Sequence, residues 1–375
     1  MTRISECLSP RVQLGRFCYP GLAMTEALPR AADAEYLTGA LRRSGALVGG
    51  RVRDSGVESS RNTILSRIIR IRLTYEGSVD HAPASLILKT GLPDRFVGEW
   101  NGGRQEVAFY KEAASTMGAS LVPRCFEAHW DLDNNEWHLL LEDLTDSHVI
   151  ATTWPLPPSL DQCRTIVGAR ARFHAAWWDD PRLGTAVGAW TGADAMERYL
   201  QRLSNAVARF VDRVGDRLPR ERLHLYDRPL AAAPSLFQRY QSHRDVTIIQ
   251  GDAHVWNCFL PKDGSEDVRF FDWDSWRIDT GSDDLAYMMA MHWYPDRRRW
   301  AERPLLDLYH ATLEAHGIAY GRQALDDDYR LSVLWQIATP VWQSDNNIPP
   351  VIWWNNLERI FMAVDDLGCR DLLAE

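Results

Sequence analysis

Two short runs place side chains capable of chemistry at the ends of apolar, strand-like segments. Val246–Ile249 leads into QGDAHVWN, with Asp252, His254 and Asn257, and Val268–Phe271 leads into Asp272 and Asp274. A strand that ends in carboxylates and a carboxamide is not extending a core. Such oxygen donors suit Mg²⁺, which commonly takes one or two carboxylates and completes its octahedron with water and phosphate. Zn²⁺ would need His and Cys at a spacing that His254 and Cys258 do not supply. Asp252, ahead of Asn257 in one loop, is also placed to orient a hydroxyl or accept its proton. Taken singly, each residue reads better as a turn former. Grouped, and with a lysine on an apolar strand and a helical glutamate upstream, they argue for a site.

The elements that must carry these residues divide the chain. AADAEYLTGALRRS (31–44) has apolar residues at helical spacing and stops at Gly45. TILSRIIRIRLTY is rich in β-branched residues with interspersed arginines, which predicts a strand with one solvated face. ASLILKT is a short apolar strand with one charge, Lys89. RQEVAFYKEAASTMG reads as a helix with Glu106, Tyr110, Ala113 and Met117 along one face. EWHLLLEDL is an apolar strand running into Glu142 and Asp143. Beyond residue 150 the spacing is helical, as in LDQCRTIVGARARFHAAWW and NNLERIFMAVDDLG, interrupted by what reads as an acidic hairpin. These helices are too long and too unevenly spaced for βαβ units, so a doubly wound sheet is not expected.

Composition narrows the partners. The chain has 375 residues and a net charge of −9, and no long Lys/Arg run, which makes nucleic acid and acidic membrane surfaces poor partners. MTRISECLSPRVQLGRF lacks the apolar stretch of a signal peptide, and no apolar run reaches the roughly 18 residues of a membrane span. The six cysteines are scattered with no CxxC pair, so free thiols in a reducing cytoplasm are expected. Sixteen tryptophans are the compositional excess. The sequence sets no oligomeric state.

QGDAHVWN followed by FFDWD, and then GSDDLAYMM, resembles the catalytic loop and metal-binding segment of the aminoglycoside phosphotransferase and choline kinase superfamily. LTGALRRSG, EVAFYKE and WWNNLERI make it most similar to the bacterial ecdysteroid-kinase-like branch. The resemblance spans roughly residues 35–367. It implies that Asp252 contacts the acceptor hydroxyl, that Asn257 and Asp272 bind Mg²⁺, and that Lys89 holds the α- and β-phosphates paired with Glu106. It implies too that the backbone at Glu142 and Leu144 reads the adenine edge. A lysine on an apolar strand does need a counter-charge, and phosphoryl transfer asks mainly for positioning and charge neutralisation.

The departures are informative. Gln250 stands where the family usually has His, and can support the loop by hydrogen bonds. GVESSRN is no glycine-rich phosphate loop; Ser59, Ser60 and Asn62 are the candidate phosphate donors there. Spacing does not separate Asp272 from Asp274 as metal ligand; the resemblance favours Asp272 and leaves Asp274 to a second metal, the loop or the substrate. Trp276, Trp342, Trp353 and Trp354 fall where the family builds its acceptor pocket and could grip an apolar ring or a cation. His174 reads as structural, His254 as either loop support or phosphate contact, and Asp284 as a helix N-cap.

The resulting expectation is an α+β, protein-kinase-like bilobal fold. Residues 1–142 form a β-rich N-lobe with a hinge near 139–144, and 143–375 form a helical C-lobe. The activity implied is ATP- (or GTP-) and Mg²⁺-dependent transfer of the γ-phosphate to a hydroxyl of a small molecule. A non-catalytic nucleotide-binding protein of the same fold is the alternative. Protein phosphorylation is disfavoured because Asp272–Asp284 leaves little room for a peptide platform.

Overall fold

The computed structural model describes residues 28–63, 65–92, 102–116, 121–134 and 136–373. Met117, Cys7, Cys18 and the opening stretch read above for a signal peptide lie outside them. Helix α1 (Ala34–Arg43) precedes strands β1 (Arg51–Asn62), β2 (Ser66–Glu76) and β3 (Ser85–Gly91), then helix α2 (Gly102–Glu112) and strands β4 (Cys125–Asp131) and β5 (Glu136–Glu142). The five strands form one antiparallel sheet in the order β1-β2-β3-β5-β4.

Alternation along these strands decides which side chains reach the site. In β2, Ile69, Ile71 and Leu73 are buried while Arg72 between them is exposed, as a sheet with one face toward its core requires. Leu86 and Leu88 of β3 join them, with Leu140 of β5, against Leu37 and Leu41 of α1. The period of two then sends Ile87 and Lys89 to the opposite face. That face belongs to the other core, where Leu139 and Leu141 pack with Phe109 and Tyr110 of α2 and with the helical part of the chain. The patterning that closes one core therefore aims a lysine at the junction with the other.

The chain leaves β5 through Glu142, Asp143 and Leu144. Asp143 accepts from Arg70 Nε at 2.6 Å, Ser85 at 2.6 Å and the Thr145 N–H at 3.0 Å. Burial opposes its ionisation, but the hydrogen bonds from Ser85, Thr145 and Arg70 prevail and bring the carboxyl down to about 2. A carboxyl depressed in the folded state stabilises the fold above its unfolded pKa, and that contribution is lost as pH falls from about 4 toward 2. Asp143→Asn is expected to lower stability by about 2 kcal/mol at neutral pH. Denaturant titrations should show the difference shrinking below pH 4; a deficit constant from pH 7 to 2 would contradict the linkage.

After β6 (His148–Ile150) the chain is mostly helical: α3 (Leu160–Trp177), α4 (Ala193–Val214), α5 (Arg220–Leu236) and α6 (Gln238–Gln241). Ser159 and Gln162 close a reciprocal capping box that starts α3. Strands β7 (Thr247–Ile249), β8 (Cys258–Pro261), β9 (Arg269–Phe270) and β10 (Arg277–Asp279) follow. The remaining helices are α7 (Ser282–Ala286), α8 (Pro295–Ala315), α9 (Arg322–Trp335), α10 (Ala338–Asp345) and α11 (Pro350–Asp366). The expected acidic hairpin is not one hairpin. β7 pairs with β10, whereas β8 pairs with β9 and β6. Two separate ladders therefore bring the acidic strand ends together. Among the described residues, no helix is long and apolar enough to cross a membrane.

Candidate active site

Lys89 is 7% exposed, and its Nζ lies 2.6 Å from Glu106 Oε2 and 2.6 Å from Asp272 Oδ1. Glu106 reaches it from the buried face of α2 and also accepts from the Trp273 N–H at 3.4 Å. Burial alone would discharge the lysine, but Asp272 and Glu106 hold its pKa above the ordinary value. Burial likewise opposes the Asp272 charge, and Lys89 overrides it, so that carboxyl stays ionised. Burial, with the Asp272 charge beside it, pushes Asp274 well above the usual carboxylate range. The two carboxylates that spacing could not separate thus differ in environment: Asp272 is paired with a cation, whereas Asp274 accepts from the Ser275 hydroxyl at 2.8 Å.

Asp252 and Asn257 form the other half. Asn257 Nδ2 donates to the Asp252 carboxylate at 2.9 Å and to its carbonyl at 3.0 Å, and the Tyr287 hydroxyl donates to Asp252 Oδ1 at 2.6 Å. His254 Nε2 lies 3.4 Å from Asp252 Oδ2. With its amide nitrogen committed to Asp252, Asn257 keeps its Oδ1 as an acceptor. Asp272 is held at φ +67°, a left-handed conformation that Asp tolerates better than most residues and that clusters at functional sites.

The loop is anchored from below. Asp284 Oδ2 accepts from the Gln250 N–H at 3.0 Å and Oδ1 from the Gly251 N–H at 2.9 Å, while Arg170 lies at 2.5 Å and His174 at 3.2 Å. Asp284 is fully buried; burial opposes its charge, but Arg170 leads the groups that hold its carboxyl far below the ordinary range. It is therefore not the N-cap that its place before an apolar run suggests: Gly281 occupies that position, and the carboxylate instead satisfies backbone donors of a distant loop. Gly251 sits at φ +80°, and a Cβ there would meet the Ser275 carbonyl oxygen at 2.3 Å, so the turn requires glycine. Gln250 donates to the Phe271 carbonyl at 2.6 Å and accepts from Arg170 at 3.0 Å, which joins this loop to the residue preceding Asp272. His174 is fully buried between Asp284 and the Tyr309 hydroxyl, and burial lowers its pKa.

Several expected residues take other positions. Ser59 and Ser60 lie in the ladder of β1, opposite Arg70 and Ile69, and not in a loop; the Ser60 hydroxyl accepts from Arg67 at 2.9 Å. Glu142 ends β5, where its carboxylate accepts from the Arg124 N–H at 3.1 Å, and Leu144 is buried just beyond. Trp276 is 2% exposed and exchanges hydrogen bonds with Gln105 of α2, each 2.7 Å. It keys α2 to the Asp272 segment, as does Trp273, which stacks on Phe109 at 3.9 Å; Trp276 is not a lining of the helical side. Trp353 packs edge-on to Phe210 and Trp354, and Trp342 is 44% exposed. Tyr287 is the functional candidate that sequence reasoning missed. It opens a five-residue π-helical turn, Tyr287–Met291, and such turns recur at functional sites.

No protein-family model and no curated protein matches the chain. Solved structures do. A candidate aminoglycoside phosphotransferase from Ralstonia eutropha superposes with a TM-score of 0.57 at 15% identity, covering 91% of this chain and 98% of its own. Ethanolamine kinase from Plasmodium vivax superposes with a TM-score of 0.53 at 9% identity, covering 83% of this chain and 81% of its own. The five-stranded sheet, the buried Lys–Glu pair on β3 and α2 and the helical remainder thus form a protein-kinase-like fold, which the chain shares with these two solved structures.

Proposed function

We propose that the protein is a small-molecule kinase that moves the γ-phosphate of ATP, or GTP, to a hydroxyl group. The observation that carries this reading is the pair of 2.6 Å contacts that hold Lys89 between Glu106 and Asp272, with Asp252 and Asn257 completing the set. An ammonium has three donors. One is donated to Asp272, Glu106 adds an ion-pair contact, and the remaining donor capacity can hold phosphate oxygens. Asp272 and the free Oδ1 of Asn257 are hard oxygen donors, which fits Mg²⁺ bound mainly through phosphates and water. Among the described residues no group of three or more His, Cys, Asp or Glu forms a metal cage, so the protein's share would be these two ligands. Mg²⁺, when bound, would supply charge neutralisation for the triphosphate.

Asp252 would orient the acceptor hydroxyl and take its proton as the oxygen bonds to the γ-phosphorus, while the bond from that phosphorus to the β,γ-bridging oxygen breaks and the nucleoside diphosphate leaves. Tyr287 and Asn257 fix the carboxylate in place for this. Tyr287 acts through Asp252, so Tyr287→Phe is expected to lower kcat about tenfold, the worth of one charge-assisted hydrogen bond, with the KM for ATP unchanged. A loss of thermal stability with kcat intact would make it structural. Glu142 and Leu144, at the exit from β5, are our candidates for the backbone that reads the purine, and Ser59 and Ser60 for the phosphate side. We assign Asp274 and Trp354 to the acceptor side, with Trp342 and Trp353 nearby on α10 and α11. The acceptor would be an antibiotic, another secondary metabolite or a sterol-like alcohol, met in the cytoplasm where nucleoside triphosphate is plentiful. An ATP-consumption screen against alcohol-bearing metabolites, read by mass spectrometry for an added phosphate, tests the proposal.

A further inference from the structure

Rings surround Asp252 on the helical side. The His254 ring lies 5.4 Å from Trp256 and 5.7 Å from His292, centroid to centroid, and His292 lies 5.6 Å from Trp256 and 5.1 Å from Tyr287. The Trp256 indole N–H and His254 Nδ1 are buried and have no hydrogen-bond partner among the described residues. Orphaned buried polar atoms are uncommon in folded proteins. Two of them together, beside the candidate catalytic carboxylate, mark a place where a ligand would complete the structure.

A cation borders this cluster. Two residues beyond His292, the Tyr294 ring carries the Arg359 guanidinium at 4.4 Å. Arg359 belongs to α11, whose own carboxylates are taken: Glu358 by Arg222 at 2.6 Å, Asp365 by Arg370 at 2.7 Å and Asp366 by Arg299 at 2.6 Å. Among the described residues Arg359 has no carboxylate partner, and its Nε is buried without an acceptor. Burial lowers its pKa, and burial together with His254 and Arg359 brings His292 down to about 3, so that ring is neutral. A partly buried guanidinium without a counter-ion is costly, and its planar fork matches a carboxylate.

We infer that the acceptor is a ring-bearing alcohol that also carries a carboxylate, its ring against His254, Trp256, Tyr287 and His292 and its anion on Arg359. The inference rests on the phosphotransferase reading of Asp252. A polyamine would instead meet Arg359 as a like charge.

The test uses the full chain with Mg²⁺ and a non-hydrolysable ATP analogue. A library of aromatic and alicyclic alcohols, each as carboxylate, methyl ester and amine, is titrated while tryptophan fluorescence is followed. Carboxylate members should bind about tenfold more tightly than their esters, with amines weakest. Arg359→Gln should erase the difference between carboxylate and ester, and Arg359→Lys should retain part of it. The inference is overturned if amines bind most tightly, if esters match carboxylates, if no carboxylate binds, or if Arg359→Gln weakens ester and carboxylate alike. Mass spectrometry of the same library with ATP separates the two readings. Phosphate added preferentially to amines or esters removes the Arg359 assignment and keeps the kinase. Carboxylates that bind through Arg359 while no alcohol is phosphorylated keep the anion site and remove the kinase.

Discussion

Replacing Asp252 with asparagine is expected to lower phosphoryl transfer by about 10²–10⁴-fold, the range a positioned general base contributes, while nucleotide binding stays nearly intact. The substitution preserves shape and removes one property, the capacity to take a proton. An amide oxygen can still accept from Tyr287, which now meets the carboxylate at 2.6 Å. The amide NH₂ cannot accept from Asn257 Nδ2, now at 2.9 Å. Mg²⁺ titration is therefore the necessary control, because Asn257 is a proposed metal ligand. An unchanged Mg²⁺ dependence with a collapsed kcat isolates the proton acceptor. Near-normal turnover in the variant would remove Asp252 from the mechanism.

Lys89→Ala is the second large effect. It leaves Glu106 and Asp272 facing each other without the cation that sits 2.6 Å from each, and burial then favours protonation of at least one. Loss of a preorganised donor to the phosphates is expected to lower kcat/KM for ATP by about 10²-fold or more. Glu106→Ala keeps the lysine and its contact with Asp272, so its defect should be milder, about tenfold. The two residues act as one unit, so the double variant should fall short of the summed losses by about 1 kcal/mol or more in transition-state free energy. Steady-state kinetics of the four-member cycle measure this directly. Strict additivity would mean that the two residues contribute independently.

The elements carrying Lys89 and Glu106 were legible because alternation and helical spacing are local properties. Ile69, Ile71 and Leu73 against Arg70 and Arg72 announce β2, and ASLILKT announces β3 with its single charge. The pairing of β7 with β10 was not legible. Strands of three residues carry too little pattern to choose a partner, and the hydrogen bonds that choose it are long-range. Asp284 misled for the same reason. A carboxylate ahead of an apolar run looks like a cap, and nothing nearby in sequence reveals that its donors are Gln250, Gly251 and Arg170. The GVESSRN stretch carries no glycine-rich phosphate fingerprint, and nothing local in it shows that it continues β1 against β2 as far as Asn62, with a register shift between Val57 and Ser59. Tyr287 reaches Asp252 from the start of a π-helical turn that has no sequence signature, so only the hydrogen bond itself reveals it. The family resemblance pointed to Trp276 as a pocket residue, but Trp276, with its neighbour Trp273, locks α2 onto the Asp272 segment.

The central claim is that this arrangement carries a phosphoryl group from a nucleoside triphosphate to an alcohol. The most direct measurement follows ATP labelled with ¹⁸O in the γ-phosphate, incubated with the protein, Mg²⁺ and pooled alcohol-bearing metabolites, with Asp252→Asn run in parallel. The account predicts a new phosphate monoester that retains the labelled oxygens, formed by the parent chain and absent with the variant. Label found only in free inorganic phosphate, at equal rates for both proteins, would contradict it.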